Sequence, residues 1–188
     1  VYGTSKSGLL NEKSPTSPIS PYGKTKLTTE WILQDTAAAH TLSYVILRFF
    51  NIAGADVNLQ TGQIGSENTH LIKVACEVAT KKRKHLEIFG LNYPTPDGTC
   101  IRDYLHVSDL ASALSGSIHY LNNGGNSTIL NCGYGMGTSV QQVISAINQM
   151  TQKPLTVIHS DPTFNKKDIC FKVNFIPLKK IFFLEIQY

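Results

Sequence analysis

The residues best placed to do chemistry are Tyr22 and Lys26, in the run Ser20-Pro21-Tyr22-Gly23-Lys24-Thr25-Lys26. On a helix, side chains four positions apart lie on one face about one turn from each other, so a phenolic oxygen and an ammonium share a surface there. Stabilising a phenolate enough to make it a base near neutral pH takes roughly 4 kcal/mol. A nearby ammonium, a bound cationic cofactor and partial desolvation can supply that together. Ser20 as N-cap and Pro21 as first helical residue set the pair in the opening turns, where the helix dipole also favours a negative oxygen. The competing reading of a bare Tyr-x-x-x-Lys is a structural tyrosine beside a solvated lysine, and the surrounding chain has to decide.

The elements that would carry this pair alternate between helix and strand. Leu27, Trp31, Leu33 and Ala38 follow helical spacing, and Tyr44 to Phe50 reads as a strand with both faces buried, as in a central parallel sheet. Asn51, Ala53 and Gly54 then fall at its carboxyl end, the edge where open α/β sheets bind ligands. Further on, the spacing predicts a helix over Thr69 to Arg83, a strand at Leu86 to Phe89, a turn-rich stretch from Asn92 to Gly98, a helix from Val107 to Leu121, a strand at Thr128 to Asn131 and a helix from Ser139 to Met150. Such alternation predicts an α/β fold, and no tandem repeat or low-complexity linker divides it.

Gly133-Tyr134-Gly135-Met136-Gly137 invites comparison with a dinucleotide loop, but Thr138 stands where the third glycine belongs, and the nearest acidic residue, Asp161, is distant. The simpler expectation is a tight strand-to-helix turn capped by Thr138 or Ser139.

Composition narrows the partners. The 188 residues are 41% hydrophobic with a net charge of +4, enough for one domain with a core. The longest apolar stretch is interrupted by Arg48 and is too short to span a bilayer, which predicts no membrane partner. Val1 to Lys13 does not read as a secretory leader, and an intracellular, cytoplasmic protein is expected. The basic residues cluster at Lys81-Lys82-Arg83-Lys84 and after Asn165 without aromatic interleaving, so nucleic acid is not an expected partner. Cys76, Cys100, Cys132 and Cys170 have neither zinc nor disulfide spacing and are expected to be reduced, mostly buried thiols; no metal is predicted.

Taken together, Val1-Tyr2-Gly3, the Ser20 to Lys26 run, Leu47 to Gly54, Thr69-His70-Leu71-Ile72, Asp97 to Val107 and Asn131-Cys132-Gly133 closely resemble the UDP-glucose 4-epimerases of the extended short-chain dehydrogenase/reductase family. The resemblance covers roughly residues 1 to 150. It implies part of a Rossmann-like parallel sheet interleaved with a smaller α/β substrate domain, followed over 151 to 188 by a diverged tail. Such enzymes use tightly held NAD to oxidise a UDP-hexose at C4, let the keto-sugar rotate and return the hydride to its other face.

By this resemblance Tyr22 is the base, and Lys26 holds the nicotinamide ribose and keeps Tyr22 acidic. Phe50 lies near the cofactor. Asn51 and Arg102 contact the diphosphate; His70 and Leu71 face the nucleotide; Leu86, Ile88 and Phe89 form a uracil pocket. A homodimer is implied for the full-length enzyme. Plain structural roles compete: Arg102 pairing with Asp97 or Asp103, Asn51 capping a turn, Leu86 and Phe89 as strand core, His106 as a core or turn residue.

The pattern departs at both ends. A sugar-binding serine or threonine and the first βαβ units are expected upstream of Val1, and Lys73 replaces a usual proline. An arginine and a glycine expected near Phe164 to Asp168 are not there, and the apolar residues of the tail from Phe171 to Tyr188 read as prone to aggregate. The expectation is an amino-terminally incomplete epimerase that does not catalyse alone. A related nucleotide-sugar decarboxylase or dehydratase and a non-catalytic nucleotide-binding fragment are the competing expectations.

Overall fold

The computed structural model describes residues 1–3, 10–65 and 69–160. Asp161, Cys170 and the expectations for Phe164 to Asp168 and the tail lie outside the described residues.

Among the described residues, four helices and seven strands follow one another as α1 (Pro21–Ala39), β1 (Val45–Phe49), β2 (Asn51–Ala53), α2 (Leu71–Ala79), β3 (Leu86–Phe89), β4 (Ile101–His106), α3 (Val107–Asn122), β5 (Thr128–Cys132), β6 (Gly137–Ser139), α4 (Val140–Thr151) and β7 (Val157–Ser160). Parallel pairing predominates: β1 with β5, β2 with β4, and β3 with β7, while β6 joins β4 antiparallel. This is the expected α/β architecture.

Helix starts follow their caps. Ser20 Oγ accepts from Gly23 N at 3.1 Å with Pro21 in the first turn, so α1 begins where the sequence predicts. Ser139 and Gln142 form a reciprocal capping box at α4, which settles the choice between Thr138 and Ser139. His106 caps α3, its Nδ1 accepting from Ser108 N at 3.2 Å.

The strand expected over Tyr44 to Phe50 is β1, but a second strand that the pattern did not mark, β2, follows from Asn51 with a different partner. Two expectations need correction. β1 is not buried on both faces: it is half-buried, with Phe49 exposed, and among the described residues it pairs with β5 alone. The helix predicted to Arg83 ends at Ala79, since Lys81 turns left-handed with φ 61° and Lys82 N and Arg83 N both bond back to Glu77 O. The strands β4, β6 and β7 are findings that the sequence pattern did not mark.

Two apolar clusters hold these elements. One joins Val74, Ala75 and Val78 of α2 to Leu86 and Ile88 of β3 and Ile144 of α4. The other gathers Leu105, Ala113, Leu130 and Cys132 beneath β1 and β2. Of the described cysteines, all free, only Cys132 is buried; Cys100 is intermediate and Cys76 is exposed, against the expectation of mostly buried thiols. Burial pushes the Cys132 thiol up to about 12, which keeps it protonated and inert. No helix among the described residues is long and apolar enough to cross a membrane.

Candidate active site

Tyr22 and Lys26 sit in the first two turns of α1, with the Lys26 ammonium 5.2 Å from the centre of the Tyr22 ring. Tyr22 is 72% exposed, so the described residues leave it open to a ligand. The pair lines a cleft of about 390 Å³ together with Glu30, Arg48 and Phe50.

A second cleft, of about 440 Å³, is lined by Asn51, His70, Leu71, Leu86, Ile88, Phe89 and Arg102, alongside Tyr104 and Tyr93. The pleat of β4 explains its polar wall. Asp103 and Leu105 are buried, and the alternate residues Arg102 and Tyr104 turn the other way, Tyr104 standing in register with Asn51 of β2. Burial lifts the Tyr104 phenol to about 12, so it stays a neutral donor despite the nearby Arg102. His70 is the N-cap residue of α2, but its side chain makes no capping bond and is exposed toward the cleft.

The same alternation divides the predicted uracil pocket. Leu86 and Ile88 point into the α2/α4 core, whereas Phe89 is exposed on the opposite face of β3. Thus Leu86 and Ile88 belong to the core as well as the cleft wall.

The carboxylates offered as alternative partners for Arg102 have other bonds. Asp97 accepts from Thr99 N at 2.9 Å, from Thr99 Oγ1 at 2.8 Å and from Ser139 Oγ. Asp103 accepts from Tyr134 N at 3.1 Å and Gly135 N at 2.7 Å. That second pair decides the role of the glycine turn: its amides cradle the chain's own carboxylate, and a Cβ on Gly133 would stand 3.1 Å from the Asp103 carboxyl carbon. The turn is therefore a closed internal cap, with those two amides already occupied. His106 ends β4 and caps α3 rather than sitting in a turn, its ring lying against Gly54.

Sequence reasoning missed the network behind Tyr22. Arg48 Nε donates to Glu30 Oε1 at 2.9 Å and its Nη2 to Glu30 Oε2 at 2.6 Å, a two-pronged ion pair that is almost fully buried. Its Nη1 donates to Tyr2 OH at 2.8 Å, and Tyr2 OH donates to Asn131 Oδ1 at 2.7 Å. Burial pulls the Arg48 guanidinium down, but the bonds to Glu30 and Tyr2 outweigh it and leave it raised. The available signal was an arginine inside an apolar strand, since a charge there demands a partner.

A parallel α/β core with a tyrosine–lysine helix beside one cleft and a polar, strand-end cleft next to it defines a Rossmann-like α/β class. The chain belongs to the NAD dependent epimerase/dehydratase family, which it matches over residues 1–133. It is 50% identical over 161 residues to the UDP-glucose 4-epimerase of Azospirillum brasilense, covering 86% of this chain and 46% of that protein. The UDP-glucose 4-epimerase of Brucella ovis, solved in complex with NAD, superposes with a TM-score of 0.90 at 35% identity over 100% of this chain and 57% of that one. The Bifidobacterium longum enzyme, solved with NAD+ and UDP, gives 0.86 at 30% identity, over 100% of this chain and 56% of that one. The chain spans about half the length of the curated relatives it matches.

Proposed function

We propose that this chain carries the reaction and substrate residues of a UDP-hexose 4-epimerase that interconverts UDP-glucose and UDP-galactose with NAD, in the cytoplasm and in galactose metabolism. One observation carries the reading: Asn51, His70, Leu71, Leu86, Ile88, Phe89 and Arg102 line one cleft, and Phe50, next to Asn51 in the chain, lines the cleft of Tyr22 and Lys26.

The described residues fit the nicotinamide end of NAD: a hydroxyl, an ammonium and the aromatic Phe50 share a cleft with apolar Ile46 and Leu47. They offer no glycine cradle at residues 133–137, whose amides at Tyr134 and Gly135 serve Asp103. NAD, when bound, supplies the hydride acceptor at the sugar C4 and the hydride donor afterwards.

Tyr22 takes the C4 hydroxyl proton and later returns it. Lys26 donates to the ribose hydroxyls, its ammonium lying 5.2 Å from the centre of the Tyr22 ring. Asn51 and Arg102 hold the diphosphate, the guanidinium offering two parallel donors to phosphate oxygens. Phe89 contacts the uracil from the outward face of β3, with Leu86 and Ile88, turned into the core, backing that wall, and His70 and Leu71 close over the nucleotide from the start of α2. This division answers a physical demand of epimerisation, that the nucleotide be gripped while the sugar turns over. The whole enzyme works as a homodimer.

The direct test is calorimetric titration of the protein with UDP. Saturable one-to-one binding that Arg102→Ala weakens by roughly tenfold or more supports the reading. UDP affinity indifferent to Arg102 contradicts it.

A further inference from the structure

We propose that Glu30 and Arg48 are positioning residues, whose two-pronged ion pair locks α1 in the rotation that presents Tyr22 and Lys26 to their cleft. The inference rests on the functional reading above for the importance of Tyr22 and Lys26, and on geometry for everything else.

Tyr22, Lys26 and Glu30 stand at successive one-turn intervals along α1 and line the same cleft as Arg48. The helix is 19 residues long, yet Leu27 and Glu30 are its only buried residues. Among the described residues, little else fixes the roll of this helix. Leu27 supplies apolar contact, which is non-directional and tolerates rotation. The fork is directional: two donors of one rigid guanidinium meet both oxygens of one carboxylate, at 2.9 and 2.6 Å.

The guanidinium is itself fixed. Its third donor meets Tyr2 OH at 2.8 Å, its carbon lies 4.8 Å from the centre of the Tyr2 ring, and Tyr2 is tied to Asn131 on β5. Arg48 and Asn131 are register partners in the β1/β5 ladder. A continuous chain of directional contacts thus runs from the parallel strands to the helix face that carries the reacting pair. A buried ion pair is weak evidence for stability but a well-suited device for fixing one arrangement among several.

The test measures orientation in the full chain. Backbone N–H residual dipolar couplings are recorded for the wild type, for Arg48→Lys, which keeps the charge but loses the fork, and for Glu30→Leu/Arg48→Met, which replaces the pair with apolar groups of similar bulk. The expected result is that α1 and the β1/β5 strands share one alignment in the wild type. In both variants the α1 couplings lose that alignment while the strands keep theirs. A pair that merely stabilises the fold lowers the melting temperature without reorienting α1.

Unchanged α1 couplings in the variants overturn the proposal. So does a wild type whose helix and strands share no alignment, and so does global unfolding of both variants, which makes the pair a fold stabiliser only. Epimerase activity surviving Tyr22→Phe in a chimera with a full-length relative would remove the functional reading while leaving these couplings untouched, so the two failures are distinguishable.

Discussion

Phe50 and Asn51 are consecutive residues that line different clefts, Phe50 with Tyr22 and Lys26, Asn51 with Arg102. The split arises because β1 ends at Phe49 beside β5 and β2 begins at Asn51 beside β4. One peptide bond therefore joins the proposed redox side of the site to its proposed nucleotide side, and a backbone shift there moves both.

That junction makes the two residues separable by binding. Asn51→Ala is expected to weaken UDP binding by roughly tenfold to a hundredfold, the range for a lost hydrogen bond to a charged group. Phe50→Ala is expected to leave UDP affinity within about twofold, since it removes no contact to the nucleotide. Calorimetry on both variants checks this, and an equal loss in the two would contradict the division.

Gly54, just beyond β2, has φ +90°, and a Cβ there would lie 2.3 Å from His106 Nε2. The His106 ring is pinned in turn through its Nδ1 contact with Ser108 N. Gly54→Ala is expected to cost about 1–3 kcal/mol, combining an unfavourable backbone with displacement of the ring. Urea unfolding reads the change; an unchanged midpoint would show that the His106 ring moves away freely.

Acid stability should report on Asp97. Burial pushes its carboxyl up, but the bonds from Ser139 and Thr99 outweigh that and hold it below the usual carboxylate value. The folded state thus binds this proton less readily than the unfolded chain does. Its contribution to stability is present above about pH 4 and is lost as pH falls through the depressed folded value. Asp103 acts in the opposite sense: burial raises its carboxyl against the pull of the Tyr134 and Gly135 amides, so its contribution is lost as pH rises through the raised value. Asp97→Asn is expected to be less stable than the wild type at pH 6 in urea, with the gap narrowing toward pH 3. A gap that stays constant over that range would contradict the assignment.

Much of this fold is legible in local chemistry. Ser20-Pro21 announced α1, and Thr138-Ser139 after the glycine turn announced the start of α4, because caps and first-turn residues act over a few positions. Strand pairing is a long-range property, and there local patterning failed. The run Tyr44 to Phe50 is apolar enough for a central strand, but β1 has only β5 beside it among the described residues, and β2 from Asn51 onward pairs instead with β4, beyond residue 100. The short β6, three residues long, carries no periodicity to read.

The candidate site shows the same division. Tyr22 and Lys26 are a local motif. The residues of the second cleft come from β2, α2, β3 and β4, and the family resemblance grouped them where spacing could not. Glu30 escaped notice because its partner is 18 residues away on another element. The glycine turn is the tight turn the sequence favoured, but what occupies its amides was not legible: the fold brings Asp103, about thirty residues earlier, against them.

The central claim, that Tyr22 and Lys26 perform the epimerisation, is tested most directly in a chimera in which residues 1–160 replace the aligned part of the Azospirillum brasilense UDP-glucose 4-epimerase. Conversion of UDP-galactose to UDP-glucose is measured with and without Tyr22→Phe. The account predicts a chimera that binds NAD and turns over UDP-galactose, with kcat reduced by about 10²–10⁴-fold in Tyr22→Phe. A chimera that binds NAD yet converts nothing, or one that works equally well without the Tyr22 hydroxyl, would contradict it.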